Sequence, residues 1–173
     1  MRPMAARKLE VIAVPDRPTL VTRRPVDAPR EDVFDAFTMP ELVRRWMGPH
    51  SHTWVVCESD LRVGGRYRWV HRAPDGKEYA VRGEYDEIAR PERMVRTLVS
   101  DAFPDDEALE TLTLEERGAF TTVKTVTTHK TLAAFDRHLS SGRLLTGLME
   151  RYSQLDDLLA SLQKSTTPDV DSP

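Results

Sequence analysis

The sequence predicts an α+β fold in which a curved antiparallel sheet wraps around one long C-terminal helix, with two short helices after the first strand. From His52 to His129 the chain reads as β, its apolar and β-branched runs broken at hairpin intervals by Ala73-Pro74-Asp75-Gly76, Arg90-Pro91-Glu92 and Glu116-Arg117-Gly118. From Gly142 to Lys164, Leu144, Leu148, Tyr152, Leu155, Leu159 and Leu162 recur at steps of four and three, the stripe of an amphipathic helix. An antiparallel sheet must cover its apolar face, and only this helix is long enough to do so.

In chain order, residues 1–17 are expected to be a loosely held arm in which Leu9, Val11 and Val14 can add a short edge strand. Residues 18–164 form one domain, and 165–173 a flexible tail. Thr19 to Val26 is a β-branched strand that ends at Asp27-Ala28-Pro29, where Asp27 can cap a helix burying Val33, Phe34 and Phe37. Thr38 and Glu41 have the spacing of a capping box for a second short helix carrying Leu42, Val43 and Trp46, stopped by Gly48-Pro49. Strands are expected at 52–59, 65–72, 78–89, 93–100, 109–116 and 119–129, with a longer acidic loop over 101–108. Thr131 to Ser140 reads as short helical or irregular.

Composition narrows the function classes. With 39% hydrophobic and 31% charged residues the 173-residue chain can bury a core and is not a disordered polymer. Its formal charge of −3, with both signs interleaved, supplies no basic field for nucleic acid. Cys57 is the one cysteine, so neither an intramolecular disulfide nor a cysteine-rich zinc site can form, as suits the cytoplasm. The apolar stretch after Arg7 and Lys8 is broken by Glu10, Pro15 and Asp16, unlike a secretory signal. No run approaches the ~18–20 apolar residues of a membrane span, so no membrane insertion is expected.

A curved sheet gripping one helix leaves a space that becomes a pocket unless large side chains fill it. Period two in Gly65 to Arg72 sets Tyr67, Trp69 and His71 against Arg66, Arg68, Val70 and Arg72. Arginines are costly to bury, so the aromatic set points inward, either lining a cavity or filling it. Trp46 anchors the core or belongs to a lid near His50, His52 and Trp54. Tyr85 shares its spacing with Tyr79, Val81 and Gly83 and, if this set faces inward, offers a hydroxyl, unless a bulge at Gly83 inverts the face. Arg96 shares a face with Met94 and Leu98. Inward it would suit a carboxylate or phenolate, and outward it would pair with sheet carboxylates. On the terminal helix Gly147 leaves room, Leu145, Met149 and Tyr152 make an adaptable wall, and Glu150 and Arg151 face solvent.

The expected ligand contacts are therefore Trp46, Tyr67, Trp69, His71, Tyr85, Met149 and Tyr152. The catalytic candidates are His71 or Tyr85 for proton transfer, with Arg96 holding an oxyanion. Gly64-Gly65 lies between strands and reads as a turn, not a phosphate loop. His129, Asp136 and His138 match no metal spacing, and Cys57 reads as a small packed residue. No metal and no cofactor is expected.

A set of motifs adds a family. Val26-Asp27-Ala28-Pro29-Arg30-Glu31-Asp32-Val33-Phe34, Met39-Pro40-Glu41-Leu42, Arg45-Trp46, Gly48-Pro49, Asp60-Leu61-Arg62-Val63-Gly64-Gly65-Arg66-Tyr67, Pro74-Asp75-Gly76, Arg82-Gly83 and Pro91-Glu92-Arg93-Met94 resemble the START-related, birch-pollen-allergen-like superfamily called SRPBCC. Within it, the likeness is to the branch of heat-shock-protein-90 ATPase activator homologues, and it runs from about Thr19 to Gln163. The resemblance implies the helix-grip fold and a cavity that in such proteins holds lipids, sterols, polyketides or plant hormones. Some members are cyclases, aromatases or hydroxylase components. Members that activate the chaperone are similar to this chain over one domain. The leading expectation is a domain binding a small apolar or aromatic molecule between sheet and terminal helix. The alternatives are a cyclase- or aromatase-like enzyme on the same cavity, and an interaction module docking a chaperone or a second copy, as a homodimer, through a sheet edge.

Overall fold

The computed structural model describes residues 8–140 and 142–166. Its elements are β1 (Glu10–Ala13), β2 (Thr19–Val26), α1 (Arg30–Thr38), α2 (Pro40–Val43), β3 (Thr53–Ser59), β4 (Arg66–Arg72), β5 (Glu78–Ala89), β6 (Arg93–Ser100), β7 (Ala108–Arg117), β8 (Phe120–His129), α3 (Leu132–Ser140) and α4 (Leu144–Thr166). The strands form one antiparallel, unclosed sheet in the order β1-β2-β8-β7-β6-β5-β4-β3. This is the expected α+β helix grip, and β3 to β8 fall within one residue of the bounds read from the sequence. Leu9 and Val11 lie at the edge strand expected inside the arm, where β1 pairs with β2. Most of the expected C-terminal tail lies outside the described residues.

The helix starts differ from expectation. Pro29 is the N-cap of α1 and no side chain caps it, so Asp27 does not play that part. Nor does a capping box form, because Thr38 is still the last residue of α1 and its hydroxyl donates back to the Phe34 carbonyl at 2.8 Å. A threonine hydroxyl inside a helix prefers that carbonyl one turn earlier to an amide ahead.

Gly83 is a glycine for a reason of space. A Cβ there would stand 1.9 Å from the Thr97 carbonyl oxygen and 2.7 Å from the Tyr67 ring. The irregularity in β5 falls between Tyr85 and Glu87 rather than at Gly83, so Tyr85 keeps the inward face of Val81. Gly64, at φ +79°, turns the chain between β3 and β4.

The core lies between α4, α1 and the concave face of the sheet. Leu155, Leu158 and Leu159 share one apolar cluster with Val33 and Phe34 of α1 and with Val26, Met94, Leu112 and Val123 of the sheet. No helix among the described residues is long and apolar enough to cross a membrane.

Candidate functional site

Strand register decides what faces α4. Alternation puts Leu20, Thr22, Arg24 and Val26 of β2 inward, and Val123, Thr125, Thr127 and His129 of β8 with them. Leu20 pairs with Thr127, Thr127 with Glu110, Glu110 with Arg96 and Arg96 with Tyr85, making a polar row across five strands. In the next row Met94 and Leu112 belong to the core, while Thr125 and Thr22 continue that row along the cavity.

Over the polar row the helix stands off, leaving a cavity of about 220 Å³ lined on the sheet side by Thr22, Trp69, His71, Arg96, Glu110, Thr127 and His129. The helix side is Leu144, Leu148, Arg151 and Tyr152, and Phe37, Trp46, Met47 and Trp54 close the end near α2. Trp46 is held by donating its indole N–H to the Ala36 carbonyl at 2.8 Å and by an edge contact with Phe37. Gln154 of α4 donates to the Gly48 carbonyl at 3.0 Å, and Glu150 accepts the His50 backbone N–H at 2.8 Å, so α4 pins the loop after α2.

Arg96 is the largest fully buried side chain, 2% exposed. Its Nη2 lies 2.6 Å from Glu110, its Nε donates to the same carboxylate at 2.9 Å, and its Cζ stacks 4.7 Å from the Trp69 ring. Burial disfavours its charge, but Glu110 and the phenols of Tyr67 and Tyr85 outweigh that, and its pKa rises. Arg96 Nη1 and the Trp69 indole N–H are buried without a hydrogen-bond partner among the described residues. Arg151 reaches in from α4. Burial lowers its pKa, and its hydrogen-bonding contact is a long one from Nη1 to the Met47 sulfur at 3.7 Å.

Three histidines line the same space. His71 shares a 2.7 Å Nδ1–Nδ1 hydrogen bond with His52 and stacks on Tyr79. Burial, then the charges of His52 and Arg151, lower its pKa. His129 is buried with neither ring nitrogen partnered, its pKa lowered by burial. His138, exposed to solvent, lies 5.2 Å from His129 between ring centroids, and partial burial, then His129 and Arg151, lower its pKa. Burial thus favours the neutral ring in all three. Among the described residues no three His, Cys, Asp or Glu side chains converge as a metal centre requires.

The structure brings together Trp46, Trp69, His71, Arg96 and Tyr152 at the cavity. It keeps Tyr67 and Tyr85 off the lining, although both are inward and buried: the Tyr67 hydroxyl donates to the Thr97 carbonyl at 2.7 Å, and the Tyr85 hydroxyl bonds Ser59 at 2.8 Å. Met149 is 59% exposed and Leu145 is exposed too, so neither is a wall. Gly147 is not part of the lining, and a Cβ there would meet nothing within 4 Å. Arg151 faces the cavity, not solvent, and Glu150 is half-buried against the loop. Sequence reasoning missed Arg151, Glu110 and His129 as lining residues, although spacing carried a signal. Arg151 lies seven residues after Leu144, three after Leu148 and four before Leu155, inside the apolar stripe.

With this geometry in view, known proteins add a family. The sequence pattern of Activator of Hsp90 ATPase homolog 1-like protein matches residues 27–160. The chain belongs to that family. As an Activator of Hsp90 ATPase homolog 1-like protein it falls in the SRPBCC superfamily, as its motifs indicated. A Rhodobacter sphaeroides crystal structure is similar with a TM-score of 0.81 at 24% identity, covering 89% of this chain and 99% of the other. A Mycobacterium smegmatis crystal structure gives a TM-score of 0.77 at 25% identity, over 88% and 97%. An AHSA1-like protein from Aeromonas hydrophila gives 0.64 at 15% identity, over 87% and 99%. At under 25% identity the first and third of these show the fold alone. No curated protein matches the sequence.

Proposed function

We propose that this family member binds a small, largely apolar molecule, in the cytoplasm, in the cavity between the sheet and the first half of α4. The observation that carries the reading is the mixed wall. Phe37, Trp46, Trp54, Leu98 and Leu148 provide apolar surface, while a few polar groups converge from separate elements. That combination is the usual composition of a small-molecule site. The test is thermal unfolding of the protein with a panel of fatty acids, one- and two-ring aromatics and polyphenols, repeated with Leu148→Trp, which fills the space. A ligand at 100 times its dissociation constant adds about 2.7 kcal/mol of stability. A raised Tm that Leu148→Trp abolishes supports the cavity, and a shift that survives the filling moves the binding elsewhere.

One observation favours a second reading, an enzyme of cyclase or aromatase type. His71 borders the cavity, hydrogen-bonded to His52 and with a pKa lowered by burial, a placement suited to taking a proton from a bound enolisable carbonyl. Tyr85 does not share that role, its hydroxyl being engaged with Ser59 away from the lining. His71→Phe then abolishes turnover and leaves apolar binding intact. Unchanged turnover removes His71 from the chemistry.

A further inference from the structure

The cavity carries an unbalanced charge. Arg96 and Glu110 neutralise each other at 2.6 Å. Arg151 lines the same space and, among the described residues, forms no ion pair. The three lining histidines are biased to the neutral state by burial. One positive charge is therefore left over, in a cavity whose one lining carboxylate among the described residues is Glu110. Two other lining residues carry donors without partners among the described residues, Arg96 Nη1 and the Trp69 indole N–H, and the Arg96 guanidinium stacks 4.7 Å from that indole ring. Trp69 differs in this from the other tryptophans. Trp46 donates to the Ala36 carbonyl at 2.8 Å and Trp54 to the Arg44 carbonyl at 2.9 Å.

Buried donors are almost always satisfied, and these two, on residues that line the cavity together with Arg151, call for an acceptor; with one positive charge in surplus, that is an acceptor carrying a single negative charge. A phosphate monoester, at about −1.5 to −2, overshoots the charge. A phenol, with a pKa of about 10, is neutral at physiological pH and undershoots it. A carboxylate matches both the charge and the planar guanidinium fork. Size sets the rest of the molecule. The space of about 220 Å³ exceeds the roughly 150 Å³ of an engineered cavity that holds benzene, which suits one or two rings. We infer that the cavity takes a compact aromatic monocarboxylate, its rings against Phe37, Trp46 and Trp54 and its carboxylate on Arg151, Arg96 Nη1 and the Trp69 indole N–H. This rests on the reading of the cavity as a ligand site.

The experiment pairs acids with their neutral amides, benzoate with benzamide and 2-naphthoate with 2-naphthamide, titrated into the full chain at pH 7.5. Affinity is measured by calorimetry, and the three indole N–H resonances are followed in protein carrying ¹⁵N-tryptophan, with Trp69→Phe assigning the Trp69 signal. The expected result is an acid bound at least tenfold more tightly than its amide. The Trp69 indole resonance then moves downfield on saturation with the acid. Arg151→Met brings the acid down to the affinity of the amide and leaves the amide unchanged. Equal binding of acid and amide, or a Trp69 resonance indifferent to the acid, overturns the inference while the cavity reading stands. If no acid and no amide binds, the inference falls, and the cavity reading is decided by the wider thermal panel and Leu148→Trp.

Discussion

Toward its C-terminal end α4 presents Leu155, Leu158 and Leu159 to a sheet face of Val26, Met94, Leu112 and Val123, and all of these side chains are buried in one cluster. Two turns earlier the same helix presents Leu144, Leu148 and Arg151 to Thr127, Glu110 and Arg96, and a cavity remains between them. Sheet, helix and alternation are common to both halves. What differs is the polarity of the sheet side chains that each half of the helix faces. Apolar groups facing apolar groups close up, because each area of contact removes water. A row holding an ion pair and threonine hydroxyls cannot be covered by leucines without leaving polar atoms unsatisfied, so the helix stands away from it.

Breaking the ion pair should have the largest effect. Glu110→Leu leaves Arg96 buried without its counter-charge and should cost about 3–5 kcal/mol in urea unfolding, while the Arg96→Met/Glu110→Leu double variant recovers most of that loss. A single-variant loss no larger than that of an exposed ion pair would mean that solvent already reaches Arg96 through the cavity. Next comes the closed half of the interface. Leu155→Ala should cost about 2–5 kcal/mol, and Leu148→Ala less than half of that, since part of its surface already adjoins open space. Equal losses would erase the distinction between the two halves.

The open half should also respond to acid. His71, His129 and His138 have folded-state pKa values below the ordinary 6.5. The unfolded chain therefore binds more protons than the folded one as pH falls below about 6.5, and stability that is complete above that pH declines. Tm should drop between pH 7.5 and 5.5, and His129→Leu should flatten that drop. An unchanged slope in the variant would place the acid sensitivity elsewhere. The smallest effect is expected from Met149→Gln, on the exposed side of α4, which should move stability by no more than about 0.5 kcal/mol.

Several site residues were legible because one periodicity decides them. Tyr67, Trp69 and His71 take their common face from alternation along β4, and the solvent side goes to Arg66, Arg68 and Arg72 because charge is cheaper to leave in water. Arg96 was open in the sequence, since its two orientations differ only in where a carboxylate stands. The structure turns it inward and still pairs it, because Glu110 on the neighbouring strand is inward too. Tyr67 and Tyr85 could not be excluded from the lining by spacing. Their hydroxyls are taken by Thr97 and Ser59, which come close only once the strands are paired. Arg151 was misplaced by its residue type and Met149 by its hydrophobicity, although helical spacing sets the first inside the apolar stripe and the second beside it.

The sequence by itself determined the strands, the long helix, the grip of one around the other and the family. The elements and the grip follow from local periods of two and 3.6 residues and from turn residues that act on their own neighbours, and the family from the motifs strung along them. The tertiary structure alone decided which polar side chains share a row, which hydroxyls are already engaged, and that Arg96, Arg151 and the Trp69 indole converge on one space. Those relations join β4, β6, β7 and α4, elements separated by dozens of residues. They depend on register and helix rotation, which no local pattern specifies.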